Sequence, residues 1–226
     1  MDLLAHRPSG GLSVMADRKS PRDDNVVDFF PTPPWATRAL CEYVLQRFCY
    51  GEDQPWPRTV LEPAAGQGHM VAPLAEYFQT VVPSDVRDYG VGYPCKDFLA
   101  DEVTQEAIRR CWLITNPPFS RFAEFALRAI DIGAHCIALI GRLSVLEGQD
   151  RFRRLYSAYP PRIVAPFVER VPMAAGKIGT TTATAYCWIV WWRGWDGPTE
   201  VRWIPPCRAR LTRDTDHMIG VSNATA

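Results

Sequence analysis

Thr59-Val60-Leu61-Glu62-Pro63-Ala64-Ala65-Gly66-Gln67-Gly68 is the stretch on which the fold turns. Residues 59–61 are apolar or β-branched and read as a short buried strand. A turn of small residues follows, and a helix is expected over 69–78. Gly66 and Gly68 permit positive φ and let another group come close to the backbone. The spacing lacks the third glycine of the dinucleotide-binding fingerprint.

Outward from this stretch, strands and helices alternate. Strands are expected at 80–83, 111–115 and 136–140, and helices at 102–110, 122–132 and 150–158. Residues 163–167 and 186–192 are apolar, the second rich in β-branched and aromatic side chains. On the upstream side Pro34 suits a helix's first turn, and Leu40, Val44, Leu45 and Phe48 recur at helical spacing up to Cys49. Residues 50–57, with Gly, Asp and two Pro, read as a linker. Alternation of this kind implies an α/β fold: a mainly parallel central sheet with helices on both faces. Residues 1–27 are polar and read as a disordered segment, 28–210 as one domain and 211–226 as a disordered tail. In such sheets ligands sit beyond the strands' carboxyl ends, where strand order reverses. Gly66, Gly68, Asp85, Asp97 and Asn116 all follow expected strand ends.

A length of 226 residues suits a single domain, and 47% hydrophobic residues suffice for a sizeable core. No apolar run reaches membrane-spanning length, and the start shows no signal-peptide pattern. Seven cysteines, an odd number without a Cys-x-x-Cys pair, suit reduced thiols in a cytoplasmic protein and speak against zinc. A net charge of zero counts against a strong electrostatic grip on nucleic acid. The charge is unevenly spread, however. Residues 109–213 hold 16 Lys and Arg against 7 Asp and Glu, whereas residues 1–108 hold 9 against 16.

The basic half contains Asn116-Pro117-Pro118-Phe119, placed directly after the apolar strand at 111–115. The two prolines stop the strand and stiffen the chain. They leave an amide side chain, a carbonyl without a competing N–H, and an aromatic ring together at a strand end. This combination grips a planar group that carries an amino nitrogen.

The tetrapeptide resembles the catalytic motif of amino-group methyltransferases, Asn/Asp/Ser-Pro-Pro-Tyr/Phe/Trp, and the 59–68 stretch resembles the cofactor loop of class I S-adenosylmethionine (AdoMet) methyltransferases. Across residues 28–193 the order of motifs is similar to that of gamma-like N6-adenine DNA methyltransferases. The resemblance implies a Rossmann-like class I methyltransferase fold, AdoMet as cofactor and a base flipped out of the duplex. It places Glu62 at the methionine amino group, with Pro63, Ala64, Gly66 and Gly68 forming the loop. It further places Asp85 at the ribose hydroxyls, Asp97 and Phe98 at the cofactor's adenine, and Thr32 and Pro33 at the methionine end. Asn116 and the Pro117 carbonyl would accept from the two N–H groups of the target amine and Phe119 would stack on its ring, with Pro118 beside it. The N6 lone pair is delocalised into the ring, so acceptors at both N–H groups favour attack by stabilising the developing positive charge. Arg121, Arg142 and Lys177 are candidates for substrate contacts, within a wider set that includes Arg151, Arg153, Arg154 and Arg170. Residues 171–179 are either a loop beside the target base or a hairpin connection. Trp191, Trp192, Trp195 and Trp203 read as core and edge packing.

This chain departs from restriction-linked members in having no room for a separate recognition domain, which points to a stand-alone enzyme with a short target. DNA stands ahead of RNA as substrate. Adenine in RNA and a protein glutamine amide remain alternative acceptors, and a non-catalytic AdoMet-fold binding module is a third reading. Oligomeric state is not legible in the sequence.

Overall fold

The computed structural model describes residues 29–46, 59–100, 111–174, 177–178 and 183–220. The strands among them are β1 (Thr59–Glu62), β2 (Thr80–Pro83), β3 (Trp112–Thr115), β4 (Cys136–Arg142), β5 (Ile163–Pro166), β6 (Met173–Ala174), β7 (Lys177–Ile178), β8 (Tyr186–Trp192) and β9 (Glu200–Val201). Seven of them form one sheet in the order β2-β1-β3-β4-β8-β5-β9, while β6 and β7 pair as a separate antiparallel ribbon. β1 runs parallel to β2 and β3, and β3 parallel to β4. β8 is antiparallel to both of its neighbours, β4 and β5. The β6–β7 ribbon supplies the return, so β8 starts at the edge where β5 ends. Within 171–179 the described arms, Met173–Ala174 and Lys177–Ile178, pair as this ribbon, and Met173 lies beside Asn116.

Period-two geometry divides the core. β8 sends Tyr186, Trp188 and Val190 into one hydrophobic cluster and Cys187, Ile189 and Trp191 into another. Helix α1 (Pro34–Ala39, continuing with wider π-type turns over Leu40–Leu45) covers the first cluster with Trp35 and Leu40, joined by Leu74 of α2 (Val71–Leu74). The buried Trp188 indole donates to the Ala36 carbonyl at 3.1 Å, which removes the cost of burying its N–H. The second cluster is covered by Phe122 and Phe125 of α3 (Phe122–Asp131) and by Leu155 of α4 (Gln149–Arg151, continuing over Phe152–Tyr156). Helices therefore lie on both faces, as the alternation implies. None of these helices is long and apolar enough to cross a membrane.

Some boundaries differ from expectation. The helix expected over 69–78 is one turn: Pro73 has no N–H for the His69 carbonyl on its upstream side, and downstream Glu76 and Tyr77 donate three residues back, to Pro73 and Leu74. β4 runs two residues beyond 140, to Arg142. Ahead of Asp97 the chain forms no strand among the described residues, and Cys95 makes an isolated bridge with Asp85. Trp203 is not packed away: it stands 65% exposed beside the edge strand. The helix expected over 102–110, the 50–57 linker, Phe48, Cys49 and the 1–27 segment lie outside the described residues.

The largest difference is at the carboxyl end. Residues 211–220, expected to belong to a disordered tail, are packed onto the domain. Leu211 of α5 (Arg208–Leu211) is buried, and a 3-10 turn follows over Asp214–Met218. The anchor is Arg38 on α1, whose side chain is 2% exposed. Its guanidinium donates to the Leu211 carbonyl, to both carboxylate oxygens of Asp216 and to Glu76, the shortest contacts being 2.8 Å. Arg213 closes the network on Glu76 at 2.7 Å. A sequence pattern cannot reveal this strap, because its partners are 38 and 178 residues apart in the chain.

Arg38→Ala removes the buried cation between Asp216 and Glu76 and leaves only the exposed Arg213 on Glu76. Losing one member of a buried ion network costs about 3–5 kcal/mol, and partial exposure of Glu76 places this one at the lower end. Urea denaturation is expected to show that loss; an unchanged midpoint would show that the strap is held by other contacts.

Candidate functional site

β1, β2, β3 and β4 end at a common edge, and strand order reverses there, with β2 on one side of β1 and β3 on the other. At this switch point lies a cavity of about 500 Å³, within the usual range for small-molecule sites. Its walls include Thr32, Ala64, Asp85, Asp97, Asn116 and Phe119. Pro63, Phe98, Pro117, Pro118 and Arg121 also border it. Residues from five separate stretches thus meet at one place. Pro33, Glu62, Gly66, Gly68 and Arg142 do not line this space. Lys177 lies in β7, and its side chain is outside the described residues.

The glycine turn is shaped by its own surroundings. Gly66 has φ +51° and Gly68 φ +87°, both in the left-handed region. A Cβ on Gly66 would come within 2.5 Å of the Phe29 ring, and one on Gly68 within 2.5 Å of the Tyr93 hydroxyl. The close approach expected of a ligand is here made by two of the chain's own aromatic rings. Asp85 joins two loops: its carboxylate accepts from the Gly66 N–H at 2.9 Å and from the Arg87 N–H at 3.0 Å. Asp97 accepts from the Leu99 N–H at 2.9 Å, and Phe98 packs on Phe125 with ring centres 5.1 Å apart. His69, at the cavity wall, is held neutral, its pKa lowered to about 4 by burial.

Glu62 at the end of β1 is completely buried. Its Oε1 accepts the Thr115 hydroxyl at 2.5 Å and the Ala64 N–H at 3.2 Å. Its Oε2 has no partner among the described residues. Burial pushes its pKa up to about 8; the two hydrogen bonds pull the other way, and nearby Asp85 adds to the rise. The neutral carboxyl carries its proton on Oε2, since Oε1 accepts twice; once ionised, Oε2 is a buried acceptor for which the described residues supply no donor.

Asn116 follows Thr115 directly. Its Nδ2 donates to the Phe30 carbonyl at 2.7 Å and lies 3.9 Å from the Met173 sulfur. Its Oδ1 is buried and has no partner among the described residues. Phe119 begins a 3-10 turn, Phe119–Arg121, whose last residue is exposed at the cavity mouth. The Phe119 ring meets Phe30 at 5.1 Å and Tyr186 at 5.9 Å, and the Arg142 guanidinium lies 4.7 Å from its centre. Arg142 therefore reaches the motif through its ring, a cation–π contact.

Of the other expected basic contacts, Arg153 is exposed and three are engaged within the chain. Arg151 donates to the carbonyls of Val145, at 2.9 Å, and of Glu147. Arg154 pairs with Asp150 at 3.3 Å, and Arg170 donates to the Ala183 carbonyl. The residues missed by sequence reasoning are Phe29, Phe30, Thr115 and Met173. The first two stand immediately before Pro31-Thr32-Pro33, and their adjacency to that element was the available signal.

No family model and no curated relative matches the chain. Solved structures do. A protein from Listeria monocytogenes, named as a class I S-adenosylmethionine-dependent methyltransferase, superposes with a TM-score of 0.52 at 12% identity, over 83% of this chain and 68% of that one. A protein from Pyrococcus horikoshii, named as an RNA methyltransferase, gives 0.45 at 14% identity over 65% and 79%. One from Agrobacterium tumefaciens, named as an O-methyltransferase, gives 0.46 at 10% over 77% and 86%. At these identities the likeness concerns architecture: the chain has a Rossmann-like class I methyltransferase fold.

Glu62→Gln tests the buried carboxyl without any ligand. A group whose folded pKa is raised contributes stability below its unfolded value and loses it as pH rises through the folded one. For Glu62 that window runs from about 4.5 to about 8. The glutamine variant keeps an acceptor for Thr115 and carries no charge. Its Tm relative to wild type is expected to rise across this window; a constant difference would mean that Glu62 is not perturbed.

Proposed function

We propose that this chain transfers a methyl group from AdoMet to the exocyclic N6 amino group of adenine in DNA, taking the base out of the helix into the Asn116-Pro117-Pro118-Phe119 site. The observation that carries the reading is Asn116. One end of its amide is tied to the chain, and the other is a buried acceptor without a donor. An aromatic amine is a poor nucleophile whose two N–H groups need acceptors as positive charge develops. Asn116 Oδ1 and the Pro117 carbonyl, which has no N–H of its own beside it, would be those acceptors. Asn116 is neutral, so it polarises the amine without removing its proton, and the proton leaves to solvent afterwards.

The cofactor fit rests on the neighbouring groups. Glu62 lies behind the Pro63–Ala64 wall, and its Oε2 would suit a cationic amino group that reached it, which would also favour the ionised carboxylate. Asp85 and Asp97, both on the cavity wall, would take hydroxyl and amino donors with oxygens that already hold backbone N–H groups in place. AdoMet, when bound, supplies a methyl group activated on a sulfonium sulfur. Phe119 would give the base a stacking surface worth about 1–3 kcal/mol, with Arg121 and Arg142 at its borders for phosphate or base contact. The basic excess of residues 109–213 supports a polyanionic acceptor.

Asn116→Ala is expected to lower kcat by about 10²-fold or more while AdoMet affinity by calorimetry changes little, because the acceptor acts mainly in the transition state. A variant retaining over about a tenth of wild-type kcat removes Asn116 from this role. The product is read by mass spectrometry of digested, AdoMet-treated DNA, where N6-methyladenine is expected. Label found only in RNA or only in protein glutamine would reassign the acceptor. AdoMet binding without transfer to any of the three would leave a binding module.

A further inference from the structure

We propose that Phe30 is the positioning residue for Asn116: its carbonyl orients the amide, and its ring holds Phe119 and Arg142 in the arrangement that an incoming base would meet. The proposal rests on the acceptor-site reading of Asn116 and deepens it. A carbonyl oxygen can only accept, and it lies 2.7 Å from one end of the amide. That end must be the N–H₂, because the reverse orientation would set two oxygens against each other. The Phe30 carbonyl thereby decides which atom of Asn116 is left over, and the leftover atom is the acceptor Oδ1. The Phe30 carbonyl precedes Pro31, and the segment through Pro33 and Pro34 has little freedom to shift. On its other side the Phe30 ring packs 5.1 Å from Phe119, and the Arg142 guanidinium lies 5.7 Å from its centre. Backbone and side chain of one residue thus act on both working parts of the motif. Phe29 packs in the opposite sense, against Gly66, and ties the same segment to the glycine turn.

Asn116→Asp separates this role from a general structural one. The substitution puts a second oxygen where N–H₂ faces the Phe30 carbonyl. An ionised carboxylate has no proton to give, so the two acceptors repel. A protonated one donates its O–H to Phe30 and leaves a carbonyl in the place of Oδ1. The folded pKa of the introduced carboxyl would therefore stand above its unfolded value of about 3.9. Stability is full below that value and is lost as pH rises through the raised one. Asp85, Arg87, Asp97, Arg121 and His69 border the same cavity, Glu62 bonds the adjacent Thr115, and Arg142 lies over the Phe30 ring. All of these are common to both proteins, so the difference between variant and wild type isolates position 116.

The Tm of Asn116→Asp is expected to lie near wild type at about pH 5 and to fall progressively below it toward about pH 8, with kcat following the same limb. A gap that does not change with pH, or full activity at the alkaline end, overturns the proposal. In parallel, Phe30→Ala is expected to lower kcat at least about tenfold with AdoMet affinity within about twofold, and Phe30→Tyr to restore it. Equal loss of kcat and cofactor affinity in Phe30→Ala would assign the residue to the fold instead. If wild type transfers methyl to no acceptor, the functional reading falls, while a Tm gap that does not change with pH still overturns the orienting role of Phe30, since burial and the Phe30 carbonyl both raise the introduced carboxyl.

Discussion

Thr115 donates its hydroxyl to Glu62 across the carboxyl ends of β3 and β1, and neither residue has any exposure to solvent. The turn that carries Gly66 and the loop that carries Asn116 both start from this bond. It fixes their separation, because each begins directly after its strand's last residue. The bond also sets the state of the carboxyl. Taken out of water and given one strong donor and one weak one, Glu62 stays protonated up to about pH 8. Its Oε2, without a partner among the described residues, carries the proton below that pH and becomes a bare acceptor above it.

The same pattern recurs at Asn116. In both side chains one atom is held by the chain and the other is free of partners. This division separates positioning from chemistry: the held atom removes rotational freedom, and the free one is ready without rearrangement. Preorganised dipoles of this kind are where most catalytic stabilisation resides. The entering segment is central to it. Phe29 packs on the glycine turn and Phe30 on the acceptor motif, so two consecutive residues bridge the halves of the cavity. Helix α1 follows after Pro33, and Arg38 on that helix gathers the carboxyl-terminal strap through Asp216. The site is therefore braced from the chain's upstream side and, through α1, from its far end.

Charge plays a narrower part than its bulk distribution suggests. Arg151, Arg154 and Arg170 brace loops or pair with neighbours. Arg142 differs in lying over the Phe119 and Phe30 rings, and Arg121 in standing exposed at the cavity mouth. With a net charge of zero, a nucleic acid would be drawn by this local pair and by the acceptor slot more than by a long-range field.

The sequence by itself determined the architecture and the edge at which the cavity lies. Strand-sized apolar runs, glycines at a strand end and two prolines after Asn116 are local signals, and local signals follow from backbone sterics and side-chain period. A mainly parallel sheet, helices on both faces and the meeting of Thr32, Asp85, Asp97, Asn116 and Phe119 were legible for that reason. Tertiary structure alone decided what those residues touch. It reversed β8 and turned residues 211–220 into a strap anchored on Arg38. It spent Arg151 and Arg170 on carbonyls, filled the space above Gly66 with Phe29 and made the Phe30 carbonyl the partner of Asn116. Most of these are contacts between residues far apart in the chain, made by a backbone group or by a ring filling space. Neither leaves a period or a spacing in the sequence, because any residue has a carbonyl and any large ring can fill a gap.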